Sequence, residues 1–218
     1  MIADLHVHTR LSSDTNVGPE QYLEFAKSSG RALGAICFTE HRLFPSDREV
    51  GRLYAELAEQ FQIAIFKGTE ADTELGHLLL FGVTGEVTRR FDLTARMLKS
   101  ESLIEVLHDE GGVAIPAHPF RDSGYGPRLG ALLSRHGAAL GAIEALNGQN
   151  SIEENRRAQD AALKLGLTAV GGSDAHFATA KWFMTIATEF ERDLRTVEQL
   201  CAEIRAGRAR PYVFAGPG

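Results

Sequence analysis

Eight short apolar runs rich in β-branched residues recur along this 218-residue chain, and segments of helical period separate most of them. Such runs are typical of buried strands, and their alternation with helices predicts βα units with a largely parallel sheet. LLLFGV follows the preceding run after only a short polar stretch, so a hairpin is an alternative for that step. The runs, in chain order, are IADLHV, GAICFT, IAIFKG, LLLFGV, VAIPA, GAIEAL, TAVGG and MTIAT.

Residues that begin and end helices mark the segments between these runs. Pro19 suits the first turn of a helix. Capping boxes predict two further helix starts, at Ser46 with Glu49 and at Ser151 with Glu154. Glycine adopts the left-handed backbone that ends many helices, and three glycines suit that position: Gly111, Gly166 and Gly207.

The alternating pattern also favours one architecture. A closed barrel buries parallel strands on both faces, which suits runs of this composition. The chain is shorter than the ~250 residues typical of an eightfold barrel. No linker or break in composition divides it, so residues 1–218 are expected to form one domain. The predicted fold is α/β, a distorted TIM-barrel-like (βα)7 barrel.

Charge and cysteine content exclude several classes of protein. The net charge of −6 argues against a stable complex with nucleic acid or a membrane surface. Cys37 and Cys201 lie far apart in the sequence, which excludes cysteine-ligated zinc and a disulfide framework. No apolar run approaches the ~20 residues of a membrane span, and His6 leaves no room for a signal peptide. The expected location is the cytoplasm.

Acidic and imidazole side chains lie at the ends of the predicted strands, nearly all at the carboxyl ends. His6 and His8 point to one face of the first strand, because side chains two residues apart do so. Parallel α/β sheets and barrels assemble their sites at the carboxyl ends of strands. Six of the eight histidines belong to this set, which comprises His6, His8, Glu40, His41, Glu70, His77, His118, Glu144, Asp174 and His176.

The chemistry of this set favours a metal site. Neutral imidazole and carboxylate together suit borderline divalent cations, and one carboxylate can bridge two of them. Buried side by side without a cation, the carboxylates would be costly. The alternative is that each histidine is independently hydrogen-bonded, but six such residues at strand ends favour the metal. We therefore predict a metal site at the carboxyl ends of the strands.

The order of these motifs resembles a known family. DLHVHT, SSD, TEH, GTE, GHLLLFG, AHP and GSDAH follow one another from residue 4 to about residue 177, as in the PHP (polymerase and histidinol phosphatase) superfamily. The resemblance implies a distorted barrel of seven βα units, two or three divalent metal ions, and hydrolysis of phosphate esters. Glu40 is a departure, because the family usually has aspartate before the histidine.

The resemblance also implies which residues bind the metals. One cation would be held by the two histidines of the first strand together with Glu70 and Asp174. Glu70 would bridge to a second cation, held also by His77 and His118. The full set of implied ligands is His6, His8, Asp14, His41, Glu70, His77, His118, Asp174 and His176.

A third cation would be held, by the same resemblance, by Asp14, His41 and His176. The catalytic role would fall to Glu70, Asp174 and His176. Zinc, manganese and iron all suit mixed nitrogen and oxygen ligands, so the sequence leaves the metal open.

The implied reaction is the hydrolysis of a small phosphorylated metabolite, a nucleotide or an oligonucleotide end. Two cations would provide a hydroxide at neutral pH, which would attack phosphorus in line with the leaving group. A phosphate substrate would also suit guanidinium groups. Solvated surface arginines and a helix-capping asparagine are the alternatives for the candidate substrate-binding residues, which are Arg10, Arg42, Arg121, Arg128 and Asn147.

Two other functions remain open from the residues. The first is a metal-dependent hydrolase of a C–N bond, although such sites commonly recruit a bridging lysine and Glu70 already fills that role here. The second is a non-catalytic metal-binding partner module, in which several ligand positions would be expected to be lost. A phosphatase screen with manganese separates the three.

Overall fold

The computed structural model describes residues 1–121, 131–132 and 140–215, and within these ranges nine strands and six helices form a mixed α/β fold. The strands are β1 Ile2–Val7, β2 Ala35–His41, β3 Ala64–Thr73, β4 Gly76–Phe81, β5 Val113–Pro116, β6 Ala142–Asn147, β7 Thr168–Gly172, β8 Ile186–Phe190 and β9 Ala209–Val213. The helices are α1 Pro19–Ser28, α2 Arg48–Phe61, α3 Gly85–Arg90, α4 Ser100–Asp109, α5 Ile152–Leu165 and α6 Val197–Arg205.

Seven of the strands form one curled sheet, in the order β5-β4-β3-β2-β1-β8-β9, and β6 pairs with β7 in a second sheet. The central strands β1, β2 and β3 are parallel, as are β6 and β7. The flanking strands β4, β5, β8 and β9 each run antiparallel to a neighbour. The sheet is therefore mixed, and the expectation of a largely parallel sheet holds only for its centre.

The closed seven-unit barrel predicted from the sequence is not found among the described residues. The edge of β1 that faces away from β2 is shared between two partners. Near its start this edge pairs with the antiparallel β8, and only at its end does Val7 bridge to Ala175, just after β7. An antiparallel strand thus occupies part of the edge that a closed parallel barrel would give to β7.

The hairpin alternative for LLLFGV is confirmed, because β3 and β4 are antiparallel and place Asp72 opposite His77. β3 is longer than predicted, and β4 begins two residues earlier than predicted. As a result Glu70 lies within β3 and not after it, and His77 lies within β4 and not before it. The hairpin carries both side chains to the same end of the sheet as the end of β1.

Apolar layers cover both faces of the central strands. Residues 3–9 are all buried, as expected of a strand with neighbours on both sides and cover on both faces. On one face α1 and α2 pack against β2, with Tyr22 and Leu57 in the same buried cluster as Phe38. None of the helices in the described ranges has the length and apolar character that crossing a bilayer requires.

Helix ends follow the sequence signals with one exception. Pro19 occupies the first turn of α1, Ser151 forms the predicted capping box of α5, and Gly166 ends α5 with φ +65°. The capping box at Ser46 is wrong. Asp47 is the N-cap of α2, and its carboxylate accepts a hydrogen bond of 2.6 Å from the backbone of Glu49.

Candidate metal centre

The polar side chains predicted at strand ends converge at one end of the curled sheet. Strand register explains part of this convergence, since His41 at the end of β2 lies directly opposite Glu70 on β3. The hairpin and the loops after β1, β5 and β7 bring the remainder. The residues that meet here are His6, His8, Asp14, His41, Glu70, His77, His118, Asp174 and His176.

A first group of four donor atoms surrounds one point. The Nε2 atoms of His6 and His8 each lie 3.4 Å from Glu70 Oε2, and they lie 3.5 and 3.3 Å from Asp174 Oδ1. The His6 and His8 Nε2 atoms and Glu70 Oε2 are buried without a hydrogen-bond partner. His41 Nδ1 also approaches this oxygen, at 2.9 Å.

This spacing fits a divalent cation. Buried polar atoms in folded proteins nearly always have a hydrogen-bond partner, so three orphaned atoms facing one another need another explanation. Four ligands of a tetrahedral cation at about 2.1 Å lie about 3.4 Å from one another. The distances from the two histidine nitrogens to the two carboxylate oxygens, 3.3–3.5 Å, are close to this value. His6, His8, Glu70 and Asp174 therefore form a donor set of suitable type and geometry.

A second group forms around the other oxygen of Glu70. Glu70 Oε1 lies 2.8 Å from His77 Nδ1 and 2.9 Å from His118 Nε2. One carboxylate therefore serves two groups of imidazoles with its two oxygens, which is the arrangement expected of a bridging ligand. The structure brings His77 to the centre although it precedes the predicted strand in the sequence.

A third group lies nearer the surface. Asp14 Oδ2 lies 3.1 Å from His41 Nε2 and 3.0 Å from His176 Nε2. The rings of His41 and His176 both stack against His8, with centroids 4.1 and 4.4 Å from its ring, and their own centroids lie 5.8 Å apart. The three residues implied for a third cation are thus brought together, and His41 lies between the first and third groups.

Two of the converging residues hold a backbone conformation that side chains with a Cβ rarely adopt. His118 has φ +34° and Asp174 has φ +54°. Left-handed backbone at residues other than glycine is costly, and it persists where the surroundings enforce it, often at functional sites. These two turns direct the His118 and Asp174 side chains back toward Glu70 and the histidines of β1.

Close packing behind His6 also shapes the centre. A Cβ atom on Gly172, the last residue of β7, would lie 2.5 Å from His6 Cβ and 3.1 Å from Glu144 Oε1. Only glycine fits there without displacing one of these side chains. The absence of a side chain at residue 172 thus lets β7 approach β1 closely below the site.

Electrostatics keep the carboxylates of the centre ionised. Burial alone would raise the pKa of Glu70, but the nearby His6, His41 and His118 hold that pKa well below its usual range. Burial would likewise raise the pKa of Asp174, but His6 and His8 lower it well below its usual range. The charge that a divalent cation would balance is therefore in place.

The pKa values of the two histidines of β1 are shifted in opposite directions by their surroundings. Burial would lower the pKa of His6, but the carboxylates of Asp174, Glu144 and Glu70 raise it well above its usual range. Burial is the main cause of the lowered pKa of His8, which falls to about 3. Since only a neutral imidazole binds a metal, His8 is ready to do so and His6 must first release a proton.

Glu40 lies beside the centre and outside the ligand set, as the sequence predicted. It is fully buried and accepts hydrogen bonds from the Thr9 hydroxyl at 2.6 Å and the Ser12 hydroxyl at 2.7 Å. The Ser12 oxygen also accepts the backbone N–H of His41 at 3.0 Å. Glu40 therefore anchors the loop after β1 to the end of β2.

A cavity of about 360 Å³ opens over the converging residues. Its lining shows which of the candidate substrate-binding residues lie next to the converging side chains. Its lining comprises Ser13, Asp14, His41, Arg42, Glu70, Asp72, His77, Arg96, His118, Arg121, Asp174 and His176. Of the candidate substrate-binding residues, Arg42 and Arg121 therefore line this cavity.

Two other candidates, Arg10 and Asn147, are not brought to this cavity. The Arg10 guanidinium pairs with Glu20 on α1, next to a separate groove beside α2. Asn147 is fully buried behind Asp174, where its amide donates to Glu144 and accepts from Arg121, so substrate contact is not available to it. Arg128 lies outside the described residues.

Arg121 is held by the centre itself. One of its terminal nitrogens donates to Asp174 Oδ2 and to Asn147 Oδ1, both at 2.7 Å, and its Nε donates to Asn150 at 2.9 Å. The side chain keeps 21% of its surface exposed toward the cavity. Arg121 therefore orients Asp174 and still offers donors to a ligand.

Sequence reasoning missed several residues of the centre. Arg96 and Asp72 line the cavity, but Arg96 follows α3 in a segment with no site-like motif. Glu144 was noted at a strand end without a role, and it contacts His6 and His118. Asp4 precedes the histidine pair on the same strand face, and burial raises its pKa to about 7. Period-two spacing with His6 was the only signal for Asp4.

Comparison with known families agrees with this geometry. The family model of the PHP domain matches residues 4–165, and that of a PHP-associated segment matches residues 153–209. The first match covers well over half of the chain. The chain belongs to the PHP domain family.

Individual relatives are distant. An uncharacterized protein of Methanocaldococcus jannaschii, MJ1587, is 26% identical over 130 residues, which is 55% of this chain and 68% of the relative. A two-domain protein from Bacteroides vulgatus with a predicted PHP-like metal-dependent phosphoesterase is 19% identical with a TM-score of 0.71, over 98% of this chain and 64% of that protein. The chain therefore spans less than two thirds of that protein.

A nuclease shares the fold as well. The lesion-specific endonuclease PfuEndoQ from Pyrococcus furiosus is 16% identical with a TM-score of 0.63, over 100% of this chain and 59% of that protein. At identities this low, the structural similarity shows a shared fold and nothing beyond it. It supports the mixed α/β architecture of PHP relatives for this chain.

Proposed function

We propose that this protein is a metal-dependent phosphoesterase, a phosphatase or phosphodiesterase, that acts on a small phosphorylated metabolite, a nucleotide or an oligonucleotide end. The observation that carries the proposal is the set of buried donor atoms of His6, His8 and Glu70 that face one another without hydrogen-bond partners. Membership of the PHP family and its phosphoesterase and nuclease relatives support the same chemistry.

Two or three divalent cations would be held by the three groups of ligands. His6, His8, Glu70 and Asp174 would hold the first, Glu70 would bridge to a second with His77 and His118, and Asp14, His41 and His176 would hold a third. Zinc, manganese and iron all suit such donors. Bound cations would supply Lewis acidity and a nucleophile at neutral pH, and they would offset negative charge on a phosphoryl group.

The chain's own residues would bind and orient the substrate around these ligands. Guanidinium groups of Arg42, Arg96 and Arg121 face the cavity, and guanidinium binds phosphate oxygens with paired hydrogen bonds. Arg121 also fixes the carboxylate of Asp174 through its bond to Oδ2. Asp174 would thus keep one oxygen toward the histidines of β1 while the other is held in place.

The size of the cavity bears on the substrate. A volume of about 360 Å³ lies at the low end of the ~300–1,000 Å³ that small-molecule sites occupy. This favours a phosphate ester with a small organic group, or the terminal nucleotide of a longer strand. The acidic net charge of −6 disfavours tight binding along an extended nucleic acid.

A substrate screen tests the proposal. The purified protein is loaded with manganese or zinc, its metal content per chain is measured, and p-nitrophenyl phosphate, bis-p-nitrophenyl phosphate and a nucleotide panel are offered. We expect metal-dependent release of nitrophenol or phosphate, and the ratio of monoester to diester rates defines the class. A peptide or amide substrate is included for the C–N alternative.

Asp174→Ala is the informative variant, and Asp92→Ala is its matched control, because Asp92 is exposed and its contacts are to its neighbour Thr94. Asp174→Ala should remove turnover, whereas Asp92→Ala should retain it. Metal-loaded wild-type protein that hydrolyses none of the phosphate esters would contradict the proposal and would favour the non-catalytic metal-binding module.

A further inference from the structure

Glu144 on β6 is a buried carboxylate that lies behind the metal centre and does not line the cavity. Only 1% of its surface is exposed, and both of its oxygens have partners. Oε1 lies 2.9 Å from His6 Nδ1, while Oε2 accepts the backbone N–H of His118 at 2.6 Å and the Asn147 amide at 3.0 Å. One side chain therefore contacts residues of two different ligand groups.

The donor and acceptor roles at Glu144 are fixed by chemistry. A backbone N–H can only donate, and an ionised carboxylate can only accept. His6 Nδ1 must therefore carry the hydrogen when it faces Oε1. The Nε2 atom of a neutral His6 is then left with its lone pair, directed toward Glu70 Oε2 and Asp174 Oδ1. This is the tautomer that can bind a cation through Nε2.

The second oxygen acts on the backbone of His118. This residue has φ +34°, a conformation that the surroundings must enforce. The hydrogen bond of 2.6 Å from its N–H to Glu144 Oε2 supplies such a constraint. It places His118 Nε2 at 2.9 Å from Glu70 Oε1, in the second ligand group.

We propose that Glu144 is a positioning residue that prepares two cation sites at once, by selecting the Nε2-binding tautomer of His6 and by holding the strained backbone of His118. The inference rests on the proposed metal centre, and it adds a carboxylate that none of the implied ligand positions includes. It also explains why a carboxylate is required there, because three donors converge on one side chain.

An amide cannot replace this carboxylate. In Glu144→Gln a single oxygen must serve donors on both sides of the side chain. If it accepts from His118 and Asn147, the NH2 group faces His6 Nδ1 and forces the His6 hydrogen onto Nε2, where it blocks a cation. If it accepts from His6, two buried donors lose their acceptor.

Metal binding by Glu144→Gln is the first test, and it needs no substrate. Manganese and zinc are titrated calorimetrically into metal-free wild-type and variant protein, and the bound metal per chain is measured. We expect affinity to fall by about 10- to 100-fold, as for other partners that orient metal-binding histidines. Equal affinity and stoichiometry in the two proteins would overturn the proposal.

Glu203→Gln is the matched control. Glu203 is also a glutamate with 1% exposure, but it pairs with Arg192 and Arg208 and lies outside the metal centre. It should lower the temperature of unfolding and leave metal affinity unchanged. An equal fall in affinity for the control would mean that general destabilisation, and not the position of Glu144, weakens metal binding.

The tautomer of His6 gives a second readout on the wild-type protein, so the proposal survives a variant that does not fold. Nitrogen-15 NMR of zinc-loaded protein with labelled histidine, assigned by loss of a signal in His6→Asn, should show hydrogen on Nδ1 and zinc on Nε2. Zinc on Nδ1, or wild-type protein that binds no metal, would refute it. Normal metal binding without phosphoester hydrolysis would remove only the proposed function.

Discussion

Two buried glutamates in this protein, Glu70 and Glu203, have opposite surroundings. Both side chains are about 1% exposed. Both oxygens of Glu203 accept hydrogen bonds from guanidinium groups, with Arg208 Nε at 2.7 Å from Oε2 and Arg192 at 2.7 Å from Oε1. Glu70 is surrounded by imidazoles instead, and its Oε2 has no hydrogen-bond partner.

The difference shows where the chain supplies its own counter-charge and where it leaves room for another. At Glu203 two arginines complete the site, and nothing further is needed to justify the buried charge. At Glu70 the surrounding side chains are ligand types that suit a divalent cation, and the Nε2 atoms of His6 and His8 stay 3.4 Å from Oε2 without a hydrogen-bond partner. A buried carboxylate thus indicates a candidate metal site when its neighbours are imidazoles that keep unpartnered ring nitrogens, and not when arginines neutralise it.

Replacing each glutamate tests this contrast most strongly. Glu70→Ala removes the carboxylate shared by two ligand groups, so we expect turnover to be abolished and metal affinity to fall by at least about 100-fold. Glu203→Ala leaves two guanidiniums without their partner, so it should destabilise the fold and leave metal binding intact. Metal content, activity and thermal unfolding of both variants are compared. Full metal occupancy in Glu70→Ala would contradict the proposal that Glu70, unlike Glu203, binds cations.

Metal removal is expected to have the next largest effect. A cation bound at 100 times its dissociation constant stabilises the folded state by about 2.7 kcal/mol. For a domain of this size each kcal/mol shifts the unfolding temperature by roughly 2–4 °C, so chelation should lower it by about 5–10 °C. The measurement is a thermal melt before and after chelation and again after manganese is restored. Glu203→Ala should show the same shift, since its site holds no cation.

Arg42→Ala extends the contrast to the cavity, where we propose that the Arg42 guanidinium binds a phosphate ligand. Losing one charge-assisted hydrogen bond to a phosphate should raise KM about tenfold while the bound metal stays unchanged. Arg52→Ala is the control, because Arg52 is an exposed arginine on α2 that pairs with Glu56. Steady-state kinetics and metal analysis on both variants provide the check, and an unchanged KM for Arg42→Ala would remove Arg42 from the site.

The two regions should also respond to pH in different ranges. The pKa of His6 is raised, so protons compete with the cation there, and metal affinity should fall by about tenfold per pH unit for each proton displaced as pH drops. Calorimetric titrations between about pH 8 and about pH 6 measure the slope. A flat profile would mean that His6 is already neutral.

The contribution of Glu203 to stability should change with pH only in acid, and this is the smallest of the expected effects. Hydrogen bonds from Arg208 and Arg192 lower its pKa to about 2 from an ordinary 4.5. A depressed pKa contributes stability above the unfolded value, and this contribution is lost as pH falls from about 4.5 toward 2. The difference in denaturation midpoint between wild type and Glu203→Gln should therefore shrink over that range and stay constant above it.

Much of the convergence at the candidate metal centre was predictable from the sequence, because its residues lie at or near strand ends. The spacing of His6 and His8 and the position of His118 after VAIPA gave their convergence without a structure. The order of motifs added Asp14 and His77, whose own positions gave no chemical reason to include them. Each of these five is among the side chains that converge at this end of the sheet.

What the sequence could not give depends on contacts between distant segments. Glu144 reaches two ligands from β6, and its role depends on distances that no spacing rule contains. Arg96 approaches the cavity from the segment between α3 and α4. Asn147 lies at a strand end, so the sequence suggested a substrate contact. Its amide instead accepts from Arg121 and donates to Asp174 behind the cavity. The same limit applies to the fold, since strand periodicity does not distinguish a parallel neighbour from an antiparallel one.

The glycine at the end of β7 marks a position beneath the candidate metal centre that cannot accept another residue without moving His6. Any side chain at residue 172 would collide with His6 Cβ, so changes there would displace the histidine before they altered any substrate contact. Arg42 and Arg96, by contrast, line the rim of the cavity. A library meant to change substrate preference should therefore diversify the rim and keep residue 172 invariant.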